Sequence, residues 1–458
     1  MTSPPAARSE RPIPGPTREY HFPKFEKLSL PNGVRIVVAP IPRLPIATVL
    51  AVIDAGAVWD TPHEEGVAQL TAKLLLEGAG ALEGAELAER FEGLGATIES
   101  SADWDAAIVS MTVTSPHIDE AFALLADVVR RPLFRQREIE RLKSERLAEL
   151  LQLRAEPRGL ADESFEAAVY DASSRYAVAP GGTDATVEAI SAAKITALYA
   201  SRYAPDATTL IVAGDVTPAT VMQLATRHLS DWKGSAARRS PSADKAARSS
   251  RATHLITKAD APQSELRLGH VGVPRTHPDY FDIVVMNAIF GGLFNSRVNL
   301  NLREAHAYTY GAFSAFDWRR GAGPFVVSTA VRNDVTSEAI AEVLKEIERI
   351  RREPVPDEEL SLATSYLDGV FPIRYETTAA VAGALANQVI YGLSDDYFDR
   401  YRSRIREVTA ESVLKAAQKH IDPDRMQAVV VGDASVRDKL QQIGFGPLIV
   451  NGDLARST

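Results

Sequence analysis

The chain has 458 residues, which is more than one hydrophobic core usually supports, and its 45% hydrophobic and 24% charged residues are typical of a globular protein. The net charge of −9 argues against a nucleic-acid-binding protein, and the absence of cysteine excludes disulfides, thiol catalysis and thiolate zinc ligands. The longest apolar runs have only the length of β-strands, so we expect no membrane span.

The N-terminus is predicted to form a disordered arm over residues 1–24, because residues 1–18 are rich in proline, serine and arginine. This segment lacks the apolar core of a signal peptide. We therefore expect a cytoplasmic protein if this N-terminus is native, and a periplasmic protein if a leader was removed.

Residues 25–232 are predicted to form a first domain that opens on a β-hairpin, with Asn32-Gly33 at its turn. The rest of this domain contains segments of helical periodicity and strand-like apolar runs. Strands are predicted at 48–55, 97–101 and 106–114, and helices at 65–77, 84–94, 118–129 and 138–154. Because the strands lie before and after groups of helices instead of alternating with them, the domain is of the α+β class.

A polar linker is predicted at 233–251, where serine, alanine, arginine and lysine replace large apolar residues. Residues 252–450 then form a second α+β domain. Its strands are predicted at 265–271, within 309–331 and just before Gly432, and its helices at 279–289, 297–305, 337–351 and 357–370.

The two domains are predicted to be copies of one unit, because two sequence patterns recur at nearly the same offset. Pro-Asp, an apolar run and Gly-Asp occur at 205–215 and again at 423–433, 218 positions later. Asp-Trp occurs at 103–104 and again at 317–318, 214 positions later. The predicted fold is therefore two homologous α+β domains of about 200 residues joined by a polar linker.

Two such domains, opening with Leu-Pro-Asn-Gly, resemble the M16 (pitrilysin-type, inverted zincin) metallopeptidases over about residues 25–448. This family includes the mitochondrial processing peptidase subunits and the core proteins of the respiratory bc1 complex. The resemblance implies a clamshell in which two similar chains enclose a chamber. In active members, a first-domain helix carries His-x-x-Glu-His, whose histidines bind zinc and whose glutamate activates water.

The resemblance places a degenerate zinc site in the first domain. Gln69 stands at the first histidine position, Ala72 at the glutamate and Lys73 at the second histidine, while Glu149, eight residues before Pro157, fits the third ligand. One carboxylate cannot hold a catalytic zinc ion, which needs about three protein ligands. We expect no metal or other cofactor in this chain. A salt bridge between Lys73 and Glu149 is one hypothesis, and a solvent-facing Lys73 is the alternative.

The nine histidines offer no other metal site, since no two are four residues apart, and each is predicted to be a surface or turn residue.

The second domain resembles the family in a segment that contacts substrate. Residues 290–298 resemble the family's Gly-Gly-x-x-x-Ser-Arg-Leu, and 302–311 resemble its Leu-Arg-Glu-x-x-x-x-x-Tyr. This resemblance implies that Arg303 and Tyr310 contact the substrate, with Gly291 and Gly292 admitting a peptide backbone. Tyr308 is predicted to share a strand face with Tyr310 and to be an accessory contact. The alternative is that Arg303 lies on a solvated helix face and Tyr310 fills a strand position.

The loss of zinc ligands beside a retained substrate segment implies a non-catalytic, substrate-binding subunit of a heterodimeric zinc peptidase, inactive alone. A homologous, zinc-bearing M16 chain would be its partner, and extended or unfolded peptides its substrates. Two alternatives stay open. One is a structural scaffold subunit like the bc1 core proteins, and the other is a homodimeric peptide-binding protein without peptidase activity.

Overall fold

The computed structural model describes residues 19–237 and 244–450. Most of the predicted N-terminal arm and residues 238–243 of the predicted linker therefore lie outside the described residues. The end of that arm, however, is packed: Phe22 is buried and stacks on Phe398, with ring centroids 4.2 Å apart, and Tyr20 meets Phe371 edge to face. The prediction of disorder is therefore wrong for these residues, because their aromatic rings complete an aromatic cluster of the second domain.

The first domain contains eight strands and eight helices within the described residues. Its strands are β1 (Glu26–Ser29), β2 (Arg35–Pro40), β3 (Ile46–Ile53), β4 (Gly78–Ala79), β5 (Leu82–Glu83), β6 (Thr97–Ala102), β7 (Ala107–Thr114) and β8 (Thr208–Gly214). Its helices are α1 (Val67–Leu74), α2 (Gly84–Gly93), α3 (Ile118–Arg130), α4 (Gln136–Ala155), α5 (Pro157–Val169), α6 (Asp184–Glu188), α7 (Ala192–Arg202) and α8 (Pro218–Leu229). The hairpin turn between β1 and β2 holds Gly33 at φ +101°, a left-handed conformation that favours glycine.

The second domain contains six strands and eight helices within the described residues. Its strands are β9 (Ala252–Thr257), β10 (Gln263–Val271), β11 (Ala312–Phe316), β12 (Pro324–Arg332), β13 (Gln427–Gly432) and β14 (Leu448–Val450). Its helices are α9 (Tyr280–Asn287), α10 (Arg297–Asn299), α11 (Thr336–Arg352), α12 (Asp357–Arg374), α13 (Thr378–Tyr391), α14 (Tyr397–Arg406), α15 (Ala410–His420) and α16 (Arg437–Gln442). Two π-helical segments, Ala288–Gly292 and Leu300–Ala305, follow α9 and α10.

Sheet topology confirms the predicted repeat and fold class. The first domain's main sheet has the order β1-β2-β8-β3-β7-β6, and the second sheet has the order β11-β12-β10-β13-β9-β14. In both sheets the strand formed by the repeated pattern of Pro-Asp, an apolar run and Gly-Asp lies between a parallel and an antiparallel neighbour. In the first sheet this strand is β8, between β2 and β3, and in the second it is β13, between β9 and β10. The two Asp-Trp pairs occupy equivalent turns, β6–β7 and β11–β12.

Each domain supplies one helix that covers the other domain's sheet. Helix α13 of the second domain packs on β3 and β8, where Thr378 and Thr48 form a buried hydroxyl–hydroxyl hydrogen bond of 2.9 Å. Helix α5 of the first domain packs on β10 and β13. The sheet faces beneath α13 and α5 are therefore buried only when the two domains are together.

Two consecutive arginines in the β11–β12 turn bind the first domain. Arg319 is 2% exposed, and its guanidinium lies 2.5 Å from Glu166 and 4.2 Å from the ring centroid of Trp104. Arg320 binds the Asp54 carboxylate at 2.5 Å, and its backbone N–H donates to Asp105. These two ion pairs, of which that of Arg319 is buried and that of Arg320 is about one-third exposed, join the two domains.

The run Tyr280–Ala305 is the one stretch of the described residues that is long and apolar enough to cross a membrane. Its buried side chains, among them Ile283, Phe290 and Leu302, belong to the core of the second domain.

Candidate functional site

Helix α1 carries the three positions that resemble the lost zinc motif, and a buried carboxylate fixes its start. Gly66 precedes the helix at φ +100°. Asp60 accepts hydrogen bonds from the backbone N–H groups of Gly66 (3.0 Å) and Ala68 (2.9 Å), which the first turn of a helix leaves unpaired. Arg175 binds the same carboxylate at 3.1 Å. Burial nevertheless raises the pKa of Asp60 to about 6.

The Lys73–Glu149 salt bridge is present. Lys73 Nζ lies 3.1 Å from Oε1 of Glu149, and Arg146, one turn earlier on α4, donates to Oε2 at 3.0 Å. Burial alone would raise the pKa of Glu149, but the two cations outweigh it and hold the pKa below its usual value. The alternative of a solvent-facing, unpaired Lys73 is therefore wrong.

These residues do not fit a zinc ion. Both oxygens of Glu149 already accept hydrogen bonds from cations, and Lys73 carries a positive charge into the place of a ligand. Gln69 and Arg146 both lie against Gly181. A Cβ added to Gly181 would lie only 2.5 Å from Oε1 of Gln69. Ala72 is fully buried in the core and has no group that could activate water.

The segment predicted to contact substrate follows α9 as a chain of short π-helical and α-helical turns. Gly291 is buried against β11, and a Cβ on it would lie 2.3 Å from Oγ of Ser314. Its prediction as a substrate contact is therefore wrong, since it allows close packing within the domain instead. Gly292 is exposed, next to the side chain of Asn287.

Arg303 and Tyr310 both present polar groups at the surface. The guanidinium of Arg303 lies 4.6 Å from the ring centroid of Phe294, and its Nε lies 3.4 Å from Glu304. Tyr310 is 93% exposed, and its hydroxyl has no hydrogen-bond partner within the described part of the chain. Phe294 and Phe313 are also more than half exposed, so this surface is both apolar and polar, as ligand-binding surfaces are.

Tyr308 and Tyr310 lie on a loop, because β11 begins only at Ala312. The prediction that they share a strand face is wrong. Ala307 adopts φ +52°, which turns the chain away from the helical segment, and Tyr308 stacks on His306 with ring centroids 4.9 Å apart. A strand pattern of alternating residues cannot reveal this turn, since alanine rarely adopts a positive φ.

The two predicted sites are not linked by direct polar contacts in the described residues. Among the described residues, no hydrogen bond or ion pair joins Gln69, Lys73 or Glu149 to Arg303 or Tyr310. Sequence reasoning missed Arg146, although its spacing of three residues from Glu149 on a predicted helix was a usable signal. It also missed Gly181, which lies far along the chain and has no local signal.

Comparison with known proteins agrees with this architecture. Residues 35–178 match the insulinase family, peptidase family M16, and residues 189–367 match the peptidase M16 inactive domain. An uncharacterized zinc protease of Bacillus subtilis is 22% identical over 358 residues, which cover 77% of this chain and 85% of the relative. A mitochondrial-processing peptidase subunit beta of Lentinula edodes is 23% identical over 443 residues, covering 91% and 92%.

Solved structures share the fold. A peptidase M16 inactive domain from Pseudomonas fluorescens superposes with a TM-score of 0.82 at 26% identity, covering 90% of this chain and 98% of that one. A protease from Helicobacter pylori superposes with a TM-score of 0.83 at 18% identity, covering 89% and 99%. With both sequence segments and the whole fold in agreement, the chain belongs to the M16 (insulinase) peptidase family.

Proposed function

We propose that this chain is a non-catalytic, substrate-binding subunit of a two-chain zinc peptidase. The observation that carries the proposal is the ion pair of Lys73 with Glu149, which occupies the positions that resemble the family's zinc ligands. A lysine in that place excludes the metal by charge, so the catalytic zinc would come from a homologous partner chain. The naming of one relative as a subunit of a processing peptidase is consistent with such a pairing.

Arg303 and Tyr310 are the groups that this chain would contribute to the shared chamber. Hydrolysis of a peptide bond places negative charge on the carbonyl oxygen, and a guanidinium or a phenol hydroxyl stabilises that charge by donating a hydrogen bond. Within the residues that the structure describes, the Tyr310 hydroxyl has no hydrogen-bond partner, and Arg303 contacts the Phe294 ring and Glu304. Both groups are therefore available to a ligand that approaches from outside the chain.

An extended peptide would bind along an exposed strand edge. Strand β11 forms one edge of the second sheet, and among the described residues it pairs with β12 alone. Its Phe313 is 52% exposed and follows the Tyr310 loop directly. A peptide paired with this edge would expose alternate side chains to Phe313, and its backbone would lie close to Tyr310.

The test is reconstitution of the chain with the zinc-bearing M16 chain that copurifies from its own cells. Arg303→Ala and Tyr310→Phe should each lower turnover of an unfolded peptide by about tenfold or more, because each removes a donor to the developing charge. Assembly, measured by native mass spectrometry, should not change. Arg352→Ala and Tyr366→Phe, two exposed residues on α11 and α12, are the matched controls and should keep full turnover.

Two results would contradict the proposal. If both variants keep full turnover in an intact pair, Arg303 and Tyr310 do not serve catalysis, and a scaffold role is favoured. If the chain purifies as a homo-oligomer that binds peptides without cutting them, it does not work with a zinc-bearing partner chain.

A further inference from the structure

Two histidines and an aspartate from distant parts of the second domain lie side by side. Asp279 immediately precedes α9, His277 lies in the turn before it, and His420 is the last residue of α15. Nε2 of His420 is 2.7 Å from Oδ2 of Asp279, and Nδ1 of His277 is 4.0 Å from the same oxygen. One ligand atom from each residue lies within 4.8 Å of the others.

We propose that His277, Asp279 and His420 bind a divalent transition-metal ion of the zinc class. Two imidazoles and one carboxylate are donors that suit such ions, and three protein ligands leave one position for water. Ligand atoms around a tetrahedral zinc ion lie about 3.4 Å apart, so side-chain movements of about 1–1.5 Å would close the site. This site is separate from the degenerate positions on α1 and revises the expectation that this chain holds no metal.

Three existing hydrogen bonds would have to give way. One joins Nε2 of His420 to Oδ2 of Asp279 at 2.7 Å, and coordination through that nitrogen replaces it. Nζ of Lys419 lies 2.7 Å from Oδ2 of Asp279, on an exposed side chain that can swing into solvent. The backbone N–H of Asp279 donates to Nδ1 of His277 at 3.1 Å, so coordination through that nitrogen replaces this bond. Lys419 therefore competes with the metal for Asp279, and this competition can be tested directly.

The repeat places a different residue at the end of the helix that carries His420. Arg202 is the last residue of α7 and lies 218 positions before His420, the last residue of α15. In the first domain, the Arg202 guanidinium lies 3.6 Å from the Trp59 ring centroid and pairs with Asp54 at 2.6 Å. The same helix end is thus anchored by a cation–π contact and an ion pair in one domain and carries a potential ligand in the other.

The experiment titrates the metal-stripped full-length chain with ZnCl₂ by calorimetry, with CoCl₂ as a spectroscopic probe. We expect one ion per chain, and His277→Ala should weaken binding by at least about tenfold, as loss of a ligand does. Lys419→Ala should strengthen binding, because the competing ammonium group is gone. His228→Ala is the matched control, since it removes a histidine 3.7 Å from a carboxylate, Asp119, and should leave the affinity unchanged.

Thermal unfolding separates a metal site from a purely structural contact. Zinc should raise the melting temperature of the wild type and of Lys419→Ala, but not of His277→Ala. The proposal is overturned if the wild type shows no saturable binding below about 1 mM metal. It is equally overturned if His277→Ala binds as tightly as the wild type, or if Lys419→Ala binds no more tightly.

Discussion

At the residue scale, Lys73 supplies one property that a zinc ion would supply at the positions that resemble the family's ligands. A zinc ion beside Glu149 would neutralise the carboxylate, and the ammonium group of Lys73 with the guanidinium of Arg146 does the same. Because this pair is 35% and 41% exposed, water screens it and its contribution to stability is small, about 0–1 kcal/mol. The salt bridge matters more because it neutralises the carboxylate of Glu149.

Restoring the family motif should restore zinc binding. The triple variant Gln69→His, Ala72→Glu, Lys73→His would place two imidazoles on α1 beside Glu149, three ligands that together bind zinc tightly, and a glutamate at the position whose family counterpart activates water. The variant is made in a His277→Ala background, so that the proposed second-domain site does not contribute. Metal analysis after dialysis should find zinc in the triple variant and none in the His277→Ala parent. Absence of zinc in a folded triple variant would show that the positions are wrongly assigned.

Asp60 should make stability depend on pH in a direction opposite to that of most carboxylates. The unfolded chain releases this proton near pH 3.8 and the folded chain near pH 6, so between these values the folded state holds more protons. The contribution of Asp60 to the free energy of unfolding therefore falls as pH rises from 4 to 6, by up to about 3 kcal/mol. Urea unfolding of the wild type and Asp60→Asn should show a stability difference that shrinks over this range. A difference that grows with pH would contradict the assignment.

At the element scale, Gly291 is required by the packing of the π-helical turn on β11. Gly291→Ala should destabilise the protein by about 1–3 kcal/mol, because its Cβ would lie 2.3 Å from Oγ and 2.8 Å from the backbone nitrogen of Ser314. Gly369→Ala on α12 is the control, since nothing lies within 4 Å of its added Cβ. That change should stabilise by about 0.5–1 kcal/mol through helix propensity. Chemical denaturation measures both, and equal effects of the two changes would rule out the packing argument.

The sequence predicts regular elements well and irregular ones poorly. The β1–β2 hairpin follows from Asn-Gly, and β3, β7 and β10 follow from their apolar runs, because these are local signals. The π-helical segments and the loop of Tyr310 do not follow, since a single π turn is too short to change the apolar periodicity of the helix around it. The helices predicted at 279–289 and 297–305 therefore lie where the structure has helical segments, but part of each is π-helical instead of α-helical.

At the scale of the whole molecule, Arg319 should be essential to the joining of the domains. Arg319→Ala leaves Glu166, whose pKa burial already raises, without its cation, and it removes the cation from Trp104 and Tyr176. We expect a loss of about 3–5 kcal/mol, the usual effect of breaking a buried ion pair. Urea unfolding followed by tryptophan fluorescence and circular dichroism measures it. Arg352→Ala, on an exposed surface, should change stability by less than about 0.5 kcal/mol, and a similarly small effect of Arg319→Ala would show that the domains are held by other contacts.

Long-range contacts set the limit of sequence reasoning here. The degenerate positions on α1 and Glu149 on α4 could be named from a family pattern, and their ion pair was foreseeable from charge. His277 and His420 could not be paired, because each lies alone in its local sequence and only the packing of α15 on α9 brings them together. The exchange of α5 and α13 was also hidden, since an amphipathic helix does not show which sheet it will cover.

Because the two domains exchange these helices, neither repeat alone contains everything that its own sheet needs to be covered. A fragment ending at the linker would keep α5 without the sheet beneath it and would leave β3 and β8 bare where α13 had been. The complementary fragment would have the converse defect at β10 and β13. Separate expression of either repeat should therefore give aggregates. Co-expression should give soluble protein, because each fragment would cover the exposed sheet of the other. The two repeats are intertwined like the subunits of a domain-swapped dimer, but here they are parts of one chain.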